Sequence, residues 1–449
     1  MNLHRRTFAA ACWLALSASV GTLRPTAAQT DNAGFDFSGT QRTRYEVLDP
    51  QFRSGFSNSD QAVALQTTLV FSWRRDAWLV GGEIMDSRSY ANDTGSFANG
   101  TTTNALEPIQ AYVAWRHEAS TFRLGRVTQD LGKRRLMARN RYRNTVSNFT
   151  GVDWSWSGTE GRAARAFYWV PMRALPSDQE SLLDNEYELD RGLRGSSITG
   201  IFYQFPAFAN QHRLESYAFD AEAESPNDLA LNYDLVTFGA RAYRAPQPAA
   251  WNYEVEAVLQ EGESGGTVGG VARNDLDQRA SFLHFEIGYQ FDAPWSPNLM
   301  FQYDRATGDD DPTDAKVERF NTLFGARRFD FGPTGIYGIA ARSNIDSPGV
   351  RLTFRPGAKW QAMLAYRSLR LESARDGWVG SGWRDASGAA GSSIGRHLEG
   401  SFTWAAIPDR LSFETGFGHL WAGLFAEQTA GASFRGDPHY YYVSLTTTF

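Results

Sequence analysis

Apolar positions recur along most of this chain at a spacing of two. In residues 250–261, Trp251, Tyr253, Val255, Ala257 and Leu259 fall on one side, and Asn252, Glu254, Glu256 and Gln260 on the other. In residues 279–291, Leu283, Phe285, Ile287, Tyr289 and Phe291 oppose His284, Glu286, Gly288 and Gln290. The last stretch, 438–449, sets Tyr441, Val443, Leu445, Thr447 and Phe449 against Tyr442, Ser444, Thr446 and Thr448. A period of two marks a strand with unlike faces. Read through the chain, it predicts 18 strands: 35–47, 62–74, 77–89, 106–116, 120–127, 150–156, 162–170, 196–205, 212–221, 233–245, 250–261, 279–291, 297–306, 347–356, 359–371, 396–406, 410–420 and 438–449.

Most of these segments have about the 9–11 residues that a tilted strand needs to cross a bilayer. The connections alternate in length. Short turns fall at 75–76, 117–119, 157–161, 206–211, 246–249, 292–296, 357–358 and 407–409. Long loops rich in Gly, Ser, Asn and Asp fall at 48–61, 90–105, 128–149, 171–195, 222–232, 262–278, 307–346, 372–395 and 421–437. Short turns on one side and long loops on the other belong to a barrel spanning the outer membrane of a Gram-negative cell, with both termini on the periplasmic side. A strand ending on an aromatic residue fits the closing strand of such a barrel, where it would also carry the signal read by the barrel assembly machinery.

Composition agrees. Mean hydropathy is −0.43 although 14% of the residues are aromatic, as expected when each strand gives half its residues to water and half to lipid. Residues 1–28 read as a cleaved secretory signal: His4, Arg5 and Arg6, an apolar run from Phe8 to Val20, then Ala27 and Ala28 before Gln29. Arg5-Arg6 also suits twin-arginine export, although barrels cross the inner membrane unfolded. The single cysteine, Cys12, lies in this segment, so disulfides and thiol metal sites are not expected in the domain at 29–449. No run of 18 apolar residues follows the signal, so no transmembrane helix is expected. Lys133, Lys316 and Lys359 are the only lysines among 44 basic residues; the others are arginine, whose planar fork pairs carboxylates through two hydrogen bonds.

An 18-stranded all-β antiparallel barrel is wide enough for an aqueous lumen. The inward faces would carry Arg42, Arg44, Glu83, Arg123, Arg241, Glu254, Glu256, His284, Glu286, Asp304, Arg351, Arg355 and Arg367. Such residues would line a substrate path or serve simply as a solvated wall. Facing lipid, a charge would cost about 2–4 kcal/mol at the midplane. Residues 126–143 concentrate Arg126, Lys133, Arg134, Arg135, Arg139, Arg141 and Arg143 against Asp130 alone. In a narrow lumen that cluster would concentrate anions; on an outer loop it would bind lipopolysaccharide phosphates. A basic run can also bind nucleic acid, but a secreted barrel makes that partner unexpected.

Two segments suggest a family. The first is Leu124-Gly125-Arg126, then Leu131 to Leu136 (Leu-Gly-Lys-Arg-Arg-Leu), then Asn144 to Trp154. The second is Tyr303 to Pro312, then Phe320-Asn321-Thr322-Leu323-Phe324, then Arg342-Ser343-Asn344-Ile345. Both resemble the alginate export family of outer-membrane barrels. The resemblance implies an 18-stranded barrel that secretes or conducts an anionic polysaccharide through an Arg-rich constriction, with Arg126, Lys133, Arg134, Arg135 and Arg139 in a basic segment folding toward the pore. Val127 stands where the family has Gln, and Asn148-Phe149-Thr150-Gly151 where it has Ser-Phe-Asp-Gly, which leaves the substrate open. The turn at 407–409 has no room for a periplasmic plug.

Other signals are weaker. Gly391-Ser392-Ser393-Ile394-Gly395 matches a nucleophile pattern but lies in a Gly/Ser-rich loop without the strand–turn–helix context. His284 and His397 should point inward, away from a lipid-facing site. A lipid-acting enzyme is therefore the least favoured reading. Asp309, Asp310, Asp311 and Asp314 could hold Ca²⁺ through oxygen ligands or form a solvated acidic loop; the Gly and closing Glu of an EF-hand are missing. The seven histidines show no metal spacing, and no cofactor is expected. The expected function is a passive, monomeric outer-membrane channel for an anionic polysaccharide or sugar, in contact with outer-membrane lipid and lipopolysaccharide. The alternative is an uptake porin for small anions.

Overall fold

The computed structural model describes residues 33–449 apart from 57–58, 94, 210, 226–230, 269–270 and 431–435, so the expected signal segment lies outside the described residues. Eighteen long antiparallel strands form one closed barrel. They are β1 Gly34–Asp49, β2 Asp60–Arg75, β3 Trp78–Tyr90, β4 Asn104–His117, β5 Ser120–Val127, β6 Phe149–Ser157, β7 Ala163–Arg173, β8 Ser197–Gln204 and β9 Arg213–Ala223. The second half continues with β10 Tyr233–Arg244, β11 Ala250–Val268, β12 Val271–Gln290, β13 Asn298–Ala306, β14 Ile345–Gly357, β15 Trp360–Arg370, β16 Ser393–Ile407, β17 Leu411–Ala422 and β18 His439–Thr448. Each contains most or all of one strand expected from period-two patterning. Three short helices sit in the long connections: α1 Gln179–Leu183, α2 Arg328–Phe331 and α3 Leu424–Ala430. No helix among the described residues is long and apolar enough to cross a membrane.

Every strand pairs with its chain neighbour, and β1 pairs with β18 from Thr40↔Thr448 to Asp49↔His439. The Phe449 carbonyl accepts the Gly39 N–H at 2.8 Å, and the Phe449 N–H reaches the Gly39 carbonyl at 3.0 Å, so the last residue completes the seam. Closure leaves no strand edge to be solvated in lipid, where an unpaired N–H or C=O costs several kcal/mol by the general penalty of about 2–7 kcal/mol for unbonded polar groups. The outward face is apolar: Tyr441, Val443 and Leu445 of β18 are 57%, 44% and 45% exposed, on a chain whose mean hydropathy is −0.43. Lipid, not water, accounts for that exposure. Aromatic residues ring the short-turn rim, with Trp360 stacked on Trp404 at 5.2 Å and Trp251 against Tyr289 at 5.3 Å.

One connection differs from expectation. Residues 262–278 are not a loop: β11 and β12 run on as a ladder through Glu261↔Arg279, Glu263↔Asp277 and Gly266↔Arg273, leaving only 269–270 between them. Here the outward face meets water instead of lipid and carries Glu261, Glu263, Asp277 and Arg279, while Ser264, Leu276 and Gln278 are buried on the inward side, so the apolar outward half of the alternation is lost while the backbone ladder continues. Lys316–Val317 adds to β12 in parallel, at Asp277↔Lys316 and Gln278↔Val317.

The glycine of the Leu124-Gly125-Arg126 segment answers to close backbone approach. Gly125 has φ +133° and faces Gly151 across the β5–β6 ladder, and a Cβ there would overlap the Ala111 carbonyl oxygen. Gly125→Val should therefore cost about 1–3 kcal/mol of backbone strain and lower the denaturant midpoint of the folded band on a heat-modifiability gel. Gly34→Ala, with nothing within 4 Å of its Cβ position, should leave it unchanged.

Candidate functional site

Two of the long outer connections do not cover the rim. Residues 128–148, between β5 and β6, and residues 307–344, between β13 and β14, turn into the lumen and pack together. The Met137 and Phe324 backbones form a parallel bridge. Around it the Phe324 N–H reaches the Leu136 carbonyl at 2.9 Å, the Ala138 N–H reaches the Phe324 carbonyl at 3.1 Å, and the Ala326 N–H reaches the Arg134 carbonyl at 2.8 Å. Met137, Ile336 and Tyr337 are buried between these loops and the wall.

Charged side chains fasten the pair to the wall. Arg135 donates to Glu256 at 2.5 Å, to Glu254, and to Asp330 of α2 at 3.0 Å. Arg139 donates to Glu83 of β3 at 2.8 Å, and Gln110 donates to the same carboxylate at 2.6 Å. From β1, Arg42 donates to the carbonyls of Arg141 and Arg143 at 2.9 and 2.6 Å, and Arg44 to that of Tyr142 at 2.6 Å while also pairing with Glu46. Arg351 of β14 reaches the Phe329 carbonyl at 2.5 Å. Arg342 bridges Asp330 and the Ala326 carbonyl. Burial pushes the Asp330 carboxyl up, but Arg135 and then Arg342 outweigh it and hold it well below the usual carboxylate range.

The remaining sequence candidates are mostly paired with one another on the wall. Arg123 meets Asp153 at 2.9 Å; Arg126 meets Glu107 and the Pro108 carbonyl; Arg241 bridges Glu215 at 2.8 Å and Glu254 at 3.0 Å. Arg367 meets Asp304 at 2.6 Å, His284 Nδ1 lies 2.6 Å from the other Asp304 oxygen, and Glu286 accepts from Gln302. Lys133 stands 3.5 Å from Glu254. Arg355 is exposed near the short-turn end of β14, away from the inward loops. Arg135 and Arg139, expected in a pore-facing cluster, instead lie buried as anchors.

Arg134 of the expected basic segment lies elsewhere, in a cavity between the loops. Where the two loops meet they enclose a cavity of about 30 Å³ lined by Arg134, Arg141, Arg143, Arg327, Arg328, Tyr142, Phe329 and Asp130. Asp130 pairs with Arg141 at 3.0 Å, and Arg328 lies 3.8 Å from Glu414. Among the described residues, the Arg134, Arg143 and Arg327 guanidiniums have no acidic partner; Arg134 lies 3.7 Å over the Phe329 ring. Burial lowers the basicity of all three, and Arg143 with Arg342 adds to this at Arg327, yet arginine keeps its charge at neutral pH. A second cavity of about 540 Å³ opens between the β11–β12 hairpin and residues 307–344, and Arg327 lines both. Lys316, Arg319, Arg384, Tyr233, Gln278 and Asn321 line this vestibule. The sequence run at 126–143 contained Arg141 and Arg143. Arg327 and Arg328 lie outside that run, and their adjacency just after Phe320–Phe324 is their one mark in the sequence.

Residues 34–436 match the model of a family described as alginate export. The chain belongs to the alginate export family. No match to a curated protein was found. Among solved structures, it resembles OccK8 (OprE) of Pseudomonas aeruginosa, at 11% identity over 92% of this chain and 98% of that one, with a TM-score of 0.62. OccAB1 of Acinetobacter baumannii gives 13% identity over 92% and 96%, with a TM-score of 0.61. OpdK of Pseudomonas aeruginosa, solved with vanillate, gives 12% identity over 93% and 100%, with a TM-score of 0.57. Identities this low establish the fold alone, that of an outer-membrane β-barrel; together with the family membership they indicate a channel of the Gram-negative outer membrane. The two segments that carry the family resemblance, 124–154 and 303–345, contain the two loops that turn inward.

Metal binding gains little from this geometry. Asp311 accepts from Thr313, Asp314 from the Lys316 N–H, and Asp309 faces Arg384 at 3.6 Å, so the acidic loop does not converge. Among the described residues the one group of three ligand atoms within 4.8 Å is His284, Glu286 and Asp330. Asp330 there is already held by two arginines, which oppose a cation.

Arg135→Ala would leave Glu256 without an arginine partner and cut Asp330 and Glu254 back to Arg342 and to Arg241 with Lys133. Removing one member of a buried ion pair costs about 3–5 kcal/mol. The expected result is a barrel that still migrates as folded, with new proteolytic cuts in 307–344 and a raised single-channel conductance. Arg135→Lys, without the planar fork, should recover only part of the loss.

Proposed function

We propose that this protein is a passive channel that conducts an anionic polysaccharide or sugar acid across the outer membrane. The observation that carries the reading is the throat: among the described residues Arg134, Arg143 and Arg327 have no ion-pair partner where the inward loops meet, while most other lumen charges are paired. Unpaired charge in a low-dielectric constriction concentrates counter-ions. Successive guanidinium forks suit the carboxylates of a uronate chain, which would be handed from the vestibule through Arg327 to Arg143 and Arg134. The paired residues Arg42, Arg44, Glu83, Arg135, Arg139, Glu254 and Glu256 then position the loops and do not contact the solute. Membership of a family of channels, in a barrel like those of other outer-membrane channels, supports a non-enzymatic role.

The throat has room for about two waters, because one water needs roughly 10–15 Å³. In this reading a sugar ring takes this route only when residues 128–148 and 307–344 part. The same narrowness favours a second reading, an uptake porin for small carboxylates. In planar bilayers under a salt gradient the protein should be anion-selective, and a micromolar polyuronate should block the current. Arg134→Ala/Arg143→Ala/Arg327→Ala should reduce anion selectivity several-fold and abolish the block. Block by small aromatic carboxylates with indifference to polyuronate would select the porin. An unselective current in the unmodified protein would sink both.

A further inference from the structure

The outer wall holds charges that the lumen argument does not use. On the lipid-facing side of β14–β16, Val350, Leu364, Tyr366 and Phe402 are exposed apolar residues. Toward the long-loop rim the same faces end in arginine: Arg305 on β13, Arg370 on β15 and Arg396 on β16. The ladders place them together. Arg305 lies opposite Asp346 and Asp346 opposite Arg370; Arg396 lies opposite Ser368 and, past a register shift, Arg370 opposite Ser393, so Arg370 and Arg396 stand on adjacent strands toward the same rim. On the far side Arg396 lies opposite Trp421 of β17, whose ring centroid is 6.5 Å from that of Tyr366. Arg305 is tied to Glu372 at 2.6 Å, and Asp346 accepts from the Tyr303 hydroxyl at 3.4 Å. Arg370 and Arg396 are exposed and have no side-chain partner among the described residues.

An arginine facing lipid is costly at the bilayer centre and nearly free at the interface. Two unpaired arginines on adjacent strands, above apolar side chains on the same outward face, therefore stand at the headgroup level of the outer leaflet. A ligand complementary to this wall is an anionic headgroup above with acyl chains below. We propose that Arg370 and Arg396, flanked by Arg305 and Trp421, bind a phosphate of a lipid A molecule whose acyl chains lie on Val350, Leu364, Tyr366 and Phe402. The two forks offer donors to a phosphate from adjacent strands, and the aromatic pair beneath supports the sugar-to-acyl boundary. Asp346 and Glu372 reduce the local positive charge, which favours one phosphate over a polyanion.

The test uses the mature barrel in detergent, titrated with diphosphorylated lipid A, with dephosphorylated lipid A and with phosphatidylglycerol. The unmodified protein should bind diphosphorylated lipid A at least tenfold more tightly than either of the others. Arg370→Ala/Arg396→Ala should lose about tenfold or more of that affinity, since a basic residue near an anionic surface contributes on the order of 1 kcal/mol. Arg370→Lys/Arg396→Lys should retain part of it, and Arg410→Ala, at the opposite rim, should match the unmodified barrel. Heat-modifiable migration confirms that each variant is folded. Equal lipid A affinity in the double alanine variant, equal binding of the dephosphorylated form, or equal binding of phosphatidylglycerol would each overturn the site.

Discussion

Everything in this molecule depends on one seam, the pairing of β1 with β18. In hydrocarbon no water is present to satisfy an exposed backbone group, so the sheet closes on itself or does not persist there. Closure fixes which residues face in and out around the whole ring, because the side-chain period is two and a one-residue slip would exchange the faces. The seam runs over ten residue pairs and is finished by two hydrogen bonds to Phe449 itself. The polar face of β18 then falls in register with Arg42, Arg44 and Glu46 of β1. The same three residues receive the inward loops.

Closure also turns the lumen into an enclosed, partly dry space, and its charges behave accordingly. Arg135 touches three carboxylates, and Arg139, Arg241 and Arg367 each have at least one. Buried ion pairs add little net stability, because desolvation consumes most of the Coulomb gain. They do impose geometry: a guanidinium fork between two strands and a loop allows few arrangements. That explains the near absence of lysine better than the demand for positive charge alone. Among the described residues Arg134, Arg143 and Arg327 are left without an acidic partner.

How much of this could be read from residues alone divides by distance along the chain. Strands were legible because alternation is local: the unlike faces of 250–261 or 438–449 are visible within a dozen positions. The ladder above the rim, through Glu261, Glu263, Asp277 and Arg279, was not legible, because its outward side is charged and faces water, so no apolar face marks it. The inward loops were half legible. The basic run at 126–143 announced a cluster, but the fate of each arginine depends on residues far away, such as Glu254 for Arg135 and Glu83 for Arg139. Arg327 and Arg328 gave no local signal beyond their adjacency. Their place in the throat follows from the Met137–Phe324 bridge, which joins residues 187 positions apart (324 − 137).

The ion pairs between loops and wall carry a consequence for assembly. Glu83, Glu254 and Glu256 belong to strands, whereas their partners Arg139 and Arg135 belong to a connection that must enter from above. While the sheet is still an open, water-filled trough, those carboxylates are hydrated and cost nothing. Once the tube shuts, they tolerate drying only if the arginines have arrived. Drying of the lumen around these carboxylates and docking of the two loops are thus one coupled event: neither is stable without the other.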